Sequence, residues 1–236
     1  MSGEGHVVPV GGPRSKRAFE LPDKKTDEIK RANRILTALK KRYPDVRCEL
    51  DFTNSHELLV ATILSAQATD VGVNKATPAL FERFPTPADY LGVTAEDVQP
   101  YLRTLNFWRN KAKSVHATMC HLHEHHGGEV PRTMEELLAL RGVARKTANV
   151  VLGNAFGINN GVVVDTHVGR ISRRFGLTEH EDPVKVERDL MALFPRPSWC
   201  ILSHLMIFHG RRVCKARGGS CESDSICRRH CANAGA

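Results

Sequence analysis

The sequence predicts an all-α protein. Apolar residues recur at helical spacing in one segment after another, and Pro, Gly or Asn separates the segments. The only stretch that reads as extended is Val162, Val163 and Val164, too short to build a sheet. Residues 1 to about 25 carry Gly, Pro, Ser and charge without an apolar period, and predict a flexible basic arm over 1–26. Its Arg14, Lys16 and Arg17 are expected to be a solvated tail. Thr26 is expected to cap a helix bearing Ile29, Ala32, Ile35, Leu36 and Leu39, which Pro44 ends. Helices over 55–67 and 71–84 follow, the second broken by Pro85 and Pro87. Further helices are expected over 94–103, 109–125, 133–140, 145–156, 166–175, 183–193 and 199–209. No internal repeat or low-complexity tract interrupts this order.

A chain of 236 residues can bury one large core or two modest ones. Lys and Arg outnumber Asp and Glu by 34 to 26, giving +8 and a pI near 9.3. That balance suits a polyanionic partner, and it equally suits a soluble basic protein without one. No apolar run approaches the length of a membrane span, and no signal-peptide core stands near the N-terminus, so neither membrane insertion nor secretion is expected. The cysteine count is odd, at seven. Cys48, Cys120 and Cys200 are scattered and read as small buried hydrophobes, whereas Cys214, Cys221, Cys227 and Cys231 are tightly spaced. Such a pattern suits a metal in a reducing compartment better than a disulfide framework.

Chemistry concentrates between residues 133 and 165. Thr133 with Glu136 forms a capping-box pattern, and the turn Arg141-Gly142-Val143-Ala144 leads into a second helix at Arg145. Unpaired N–H groups at that helix start can hold a phosphate, Gly142 permits a left-handed backbone, and Val143 can staple the turn to the core. Lys146 lies in the first turn of the new helix, and Asp165 follows nineteen residues later on a separate loop. An amine and a carboxylate so placed can attack a carbon of a bound nucleic acid. The ordinary readings are a common helix–turn–helix, a surface lysine and an aspartate capping the helix from Thr166.

The chain resembles the helix-hairpin-helix DNA glycosylase superfamily, and within it the endonuclease III family. The resemblance rests on Leu64-Ser-Ala-Gln-Ala-Thr-Asp70 with Asn74-Lys-Ala76, and on Gly128-Glu-Val-Pro131. It continues through Arg145-Lys-Thr-Ala-Asn-Val-Val-Leu152, Val164-Asp-Thr-His167 and His209-Gly-Arg211, and covers roughly residues 27–231. It implies two helical domains flanking a DNA cleft. The first spans residues 50–160 and holds the hairpin at about 133–156, and the second joins 27–49 to 161–236. By resemblance, Lys146 attacks the sugar C1′ and Asp165 stabilises the sugar cation or deprotonates the amine. The amine must be neutral to attack, although free lysine titrates near ~10.4. The helix dipole supplies only about 0.3–1 kcal/mol toward that, so desolvation and a proton acceptor must supply the rest.

DNA contacts are implied for Gln67 and Phe107 as wedges, for Arg141, Gly142, Val143, Ala144 and Arg145 at the hairpin, and for Lys215 and Arg217 in the cysteine loop. The four clustered cysteines are expected to hold a [4Fe–4S] cluster, with tetrahedral zinc as the alternative. Arg141 replaces the family's proline, Ala144 replaces a glycine, and Phe107 with Trp108 enlarges the usual wedge. The cysteine gaps are six, five and three, where the family has six, two and five.

The expected activity is excision of oxidised pyrimidines from duplex DNA, with abasic-site cleavage by β-elimination through a lysine imine. The alternatives are a relative that removes oxidised guanine or mispaired adenine, and a non-catalytic damage-binding protein. A monomer in the cytoplasm or nucleoid is expected if the source is bacterial. His121, His123, His125 and His126 are read as a solvated helix end.

Overall fold

A computed structural model describes residues 20–231. Most of the predicted arm, with Arg14, Lys16 and Arg17, lies outside the described residues. The helices are α1 (Thr26–Arg42), α2 (Ser55–Leu64), α3 (Asp70–Arg83), α4 (Ala95–Leu102), α5 (Trp108–His126) and α6 (Met134–Ala139). They continue as α7 (Arg145–Phe156), α8 (Thr166–Arg174), α9 (Pro183–Leu193), α10 (Trp199–Arg212) and α11 (Ser225–His230). Short 3₁₀ turns cover Pro87–Tyr90 and Arg196–Ser198, and there is no strand among the described residues.

Local chemistry explains the boundaries. Asn54 caps α2 by accepting from the Glu57 N–H at 2.9 Å, and Asp182 caps α9 with Pro183 in the first helical position. Left-handed Gly127 and Gly157 end α5 and α7. Three expectations need correction. Thr26 lies inside α1, and Lys25 holds the cap position with Glu28 reaching back to its N–H. The helix expected over 55–67 ends at Leu64, because Ser65 turns its hydroxyl back onto the Thr62 carbonyl and Gln67 is left-handed. The six-residue α11 was not anticipated, being too short for a period to register.

Buried apolar side chains form two clusters. One runs from Leu50 to Leu152 and includes Leu58, Leu59, Val73, Leu80 and Met119. The other joins Ile35 and Leu39 of α1 to Ile171, Leu190, Leu202 and Met206. Helix α7 packs on α2 of the first cluster and on α10 of the second, so its side chains reach both. Of the scattered cysteines, Cys48 and Cys120 pack at the edge of the first cluster, and all three are half-buried rather than buried. Burial pushes the Cys200 thiol up to about 11, which leaves it protonated and unreactive at neutral pH.

Candidate active site

The hairpin turn is held from below by α5. The Thr118 hydroxyl donates to the Arg141 carbonyl at 2.8 Å, and Gly142 (φ +81°) has Ser114 and Ile63 so close that a Cβ would stand 3.0 Å from the Ser114 Cβ. Both its backbone angle and its packing therefore require glycine. Val143 is buried against the first core, as the stapling role requires. Ala144 occupies the N-cap of α7 in an extended conformation (φ −95°, ψ 170°), open to any residue, so replacing a glycine there costs the backbone nothing. It offers no side-chain cap, which leaves the first-turn N–H groups of α7 to an external acceptor. Arg141 and Lys146 are exposed.

Lys146 and Asp165 line one cleft of about 980 Å³, together with Gln67, Gly142, Ala144 and His167. Asp165 is the N-cap of α8, its Oδ1 accepting from the Val168 N–H at 2.8 Å. The capping reading and a place in the cleft thus coexist. His167 has its Nδ1 3.1 Å from Nη2 of Arg170. Burial lowers the His167 pKa, while the Asp165 carboxylate opposes that shift. Arg170 also donates to the carbonyls of Gly210 and Cys214, joining the cleft to the cysteine loop.

Two loops beside the cleft carry strain. Among the described residues, only Gln67 (φ +53°) and Phe107 (φ +57°) combine a side chain with a left-handed backbone. Each such residue costs about 1–2 kcal/mol. Both are exposed, Phe107 by 60%, and the Asn106 amide donates to the Gln67 carbonyl at 3.2 Å, tying the loops together. The Arg109 guanidinium stacks on Trp108 at 3.9 Å, so this second ring is occupied within the protein. Arg145 is turned away from the hairpin surface, with Nε 2.8 Å from Oε2 of Glu187.

The Sγ atoms of Cys214, Cys221 and Cys227 lie within 4.8 Å of one another, and every cysteine is a free thiol. Cys231 stands one turn beyond Cys227, its N–H donating to the Cys227 carbonyl, and is not part of that compact group. A hydrogen bond from Cys227, aided by the Arg174 guanidinium 3.2 Å away, lowers the Cys214 thiol to about 5. The same hydrogen bond and burial push Cys227 up. Asp224 caps α11 and places Cys227 in its first turn, and His209 Nε2 lies 3.3 Å from the Cys227 sulfur. Three sulfurs this close together, with a guanidinium beside Cys214, fit an all-thiolate metal site. Lys215 and Arg217 are exposed on the first loop of this site.

Comparison with known proteins places the arrangement. The sequence profile of the HhH-GPD superfamily base excision DNA repair proteins matches residues 60–196. Endonuclease III of Synechocystis sp. is 50% identical over 207 residues, covering 86% of this chain and 94% of that protein. The chain belongs to the endonuclease III family. The Escherichia coli endonuclease III is 42% identical over 196 residues, covering 82% of this chain and 92% of its own. Two solved structures, a non-covalent endonuclease III–DNA complex and a trapped endonuclease III–DNA covalent intermediate, each superpose with a TM-score of 0.81. Each is 42% identical and covers 87% of this chain and 96% of its own. A thermostable thymine-DNA glycosylase, 19% identical, shares the fold with a TM-score of 0.76. The reading of the sequence overlooked Asn106 and Glu187, whose partners lie 39 and 42 residues away.

Proposed function

We propose that this chain is a base-excision DNA glycosylase with abasic-site lyase activity, acting on oxidised pyrimidines in duplex DNA. The observation that carries the reading is Lys146 and Asp165 lining one cleft beside an uncapped helix N-terminus. The relative caught as a covalent DNA intermediate supports it. We assign the two apolar clusters to two domains, residues 50–160 and residues 27–49 with 161–236, and the cleft to their junction.

The phosphate backbone docks on the N–H groups of Arg145 and Lys146, with Arg141, Lys215 and Arg217 adding charge. Gln67 and Phe107 enter the stack as the damaged nucleotide is flipped out. Neutral Nζ of Lys146 then attacks C1′, the C1′–N bond breaks, and the base departs with the electron pair and takes up a proton. Loss of the amine proton and ring opening give the imine; removal of a C2′ proton then expels the 3′ phosphate. Lys146 is exposed, so the covering DNA must exclude water from it. The Asp165 Oδ1 is engaged by the Val168 N–H, which leaves Oδ2 to take the proton or face the sugar cation.

Cys214, Cys221 and Cys227, with Cys231 one turn beyond Cys227 as the fourth ligand, would hold a [4Fe–4S] cluster, which when bound ties down the cationic loop and takes no part in turnover. Cys227→Ser should abolish visible absorption, lower iron and sulfide, and destabilise the chain by more than about 4 kcal/mol. Stoichiometric zinc without iron in the wild type would replace the cluster with a tetrahedral ion. No helix among the described residues is long and apolar enough to cross a membrane.

Incubation with duplexes carrying thymine glycol, oxidised guanine or an abasic site, with and without borohydride, tests the function. Turnover of thymine glycol with a trapped adduct supports it, and binding without turnover defeats it. Phe107→Gly separates strain from function. Relief of about 1–2 kcal/mol offsets glycine's entropic penalty of about 0.5–1 kcal/mol, so stability should hardly move. Loss of one stacked ring, about 1–3 kcal/mol, should slow turnover by about 5- to 150-fold. Unaltered turnover of damaged DNA removes Phe107 from the wedge.

A further inference from the structure

Glu187 is a charged residue of α9, only 4% exposed, and belongs to neither the cysteine site nor the cleft lining. Its Oε2 accepts from Nε of Arg145 at 2.8 Å, and its Oε1 accepts from Nη2 of Arg145 and Nδ2 of Asn149, both at 3.0 Å. The carboxylate therefore grips α7 at two residues one turn apart. The two lie on one face of that helix, and Lys146 follows Arg145 by about 100° of rotation. Two anchors at this spacing fix both the rotation of α7 about its axis and its slide along it. Rotation alone matters: about 20° would carry an atom roughly 8 Å from the axis through about 3 Å.

The same carboxylate meets the segment that leads to Asp165. Gly161 is buried against it, and a Cβ there would collide with Glu187 Oε1 and stand 2.7 Å from Nδ2 of Asn149. Val162 and Val163 then run buried to Asp165, with the Val163 N–H held by the Ser203 hydroxyl at 3.0 Å. One buried anion thus contacts the helix that bears the amine and the start of the segment that bears the carboxylate. It does so from the opposite apolar cluster to the one α7 joins through Ala148 and Leu152.

We propose that Glu187 is a positioning residue that sets Lys146 and Asp165 in register across the cleft, through Arg145, Asn149 and Gly161. This rests on Lys146 being the nucleophile: a wild-type chain that yields no borohydride adduct would remove that reading and this one with it, whereas variants that form the adduct at the wild-type rate would remove this one alone. Three variants test the proposal under single turnover with saturating thymine-glycol duplex, well below each variant's Tm. Affinity is measured separately on an uncleavable abasic analogue.

Glu187→Gln keeps the shape and loses the charge that orients Arg145. Gly161→Ala keeps every ion-pair atom and displaces them. The double variant Arg145→Met with Glu187→Leu replaces the pair by apolar groups that restore burial without directional bonds. Each is expected to slow imine formation by about 100-fold, the penalty of roughly 1 Å of misplacement, with affinity within about 3-fold of wild type. If the double variant recovers both Tm and rate, the pair is only structural and the proposal fails. An unchanged rate in Glu187→Gln also overturns it. If Glu187→Gln does not fold, the double variant and Gly161→Ala decide by the same rates.

Discussion

Lys146→Ala should leave no borohydride-trapped adduct on DNA and lower both base release and strand cleavage by on the order of 10⁴- to 10⁶-fold, the scale of removing a covalent nucleophile. On the proposed mechanism the same lysine makes the carbon–nitrogen bond and carries the imine, so the two activities should fall together. DNA affinity should persist, because the hairpin N–H groups, Gln67 and Phe107 are untouched. Lys146→Arg separates charge from nucleophilicity: it keeps a cation at the cleft but supplies no free amine at neutral pH. Strand cleavage at wild-type rate in Lys146→Ala would place the nucleophile elsewhere.

Asp165→Asn should slow base release by about 10²- to 10⁴-fold while barely moving Tm. The reason lies in the double duty of the side chain. Oδ1 caps α8 through the Val168 N–H, and asparagine caps as well as aspartate does. On the proposed mechanism, what the substitution removes is the negative charge that faces the sugar. Asp165→Ala should lose the rate and also about 1 kcal/mol of stability, because the cap goes too. If Asp165→Asn retains full activity while Asp165→Ala does not, the residue serves the helix and not the reaction.

Much of this was legible along the chain. Helices over Arg145–Phe156 and Pro183–Leu193 end where periodicity and Pro or Gly punctuation put them. The places of Lys146 in a first helical turn and of Asp165 before a helix were local signals, while the roles expected of them came only from resemblance. What escaped was non-local or local only in dihedral space. Nothing in the identity of Gln67 or Phe107 announces a positive φ, since neither is a residue that favours it. Asn106 finds its acceptor across a loop, and Glu187 finds Arg145 across the whole span between α7 and α9. Glu187 did leave a trace. It stands three and four residues before Leu190 and Met191, on the apolar face of its helix, where a lone carboxylate demands a partner. Arg145, expected to contact DNA at the hairpin, also has a side-chain partner that its neighbours in the sequence did not reveal.

Helix α8 spans nine residues, or about 13 Å, and is fastened at three points. Asp165 caps its start, Arg170 grips the carbonyls of Gly210 and Cys214 from its middle, and Arg174 at its end donates to the sulfur of Cys214. The helix is therefore a strut between the proposed catalytic cleft and the cysteine loop. Loosening the cysteine loop would release the bonds that Arg170 and Arg174 make to Cys214, and would leave α8 held by the Asp165 cap and by the Gly210 carbonyl.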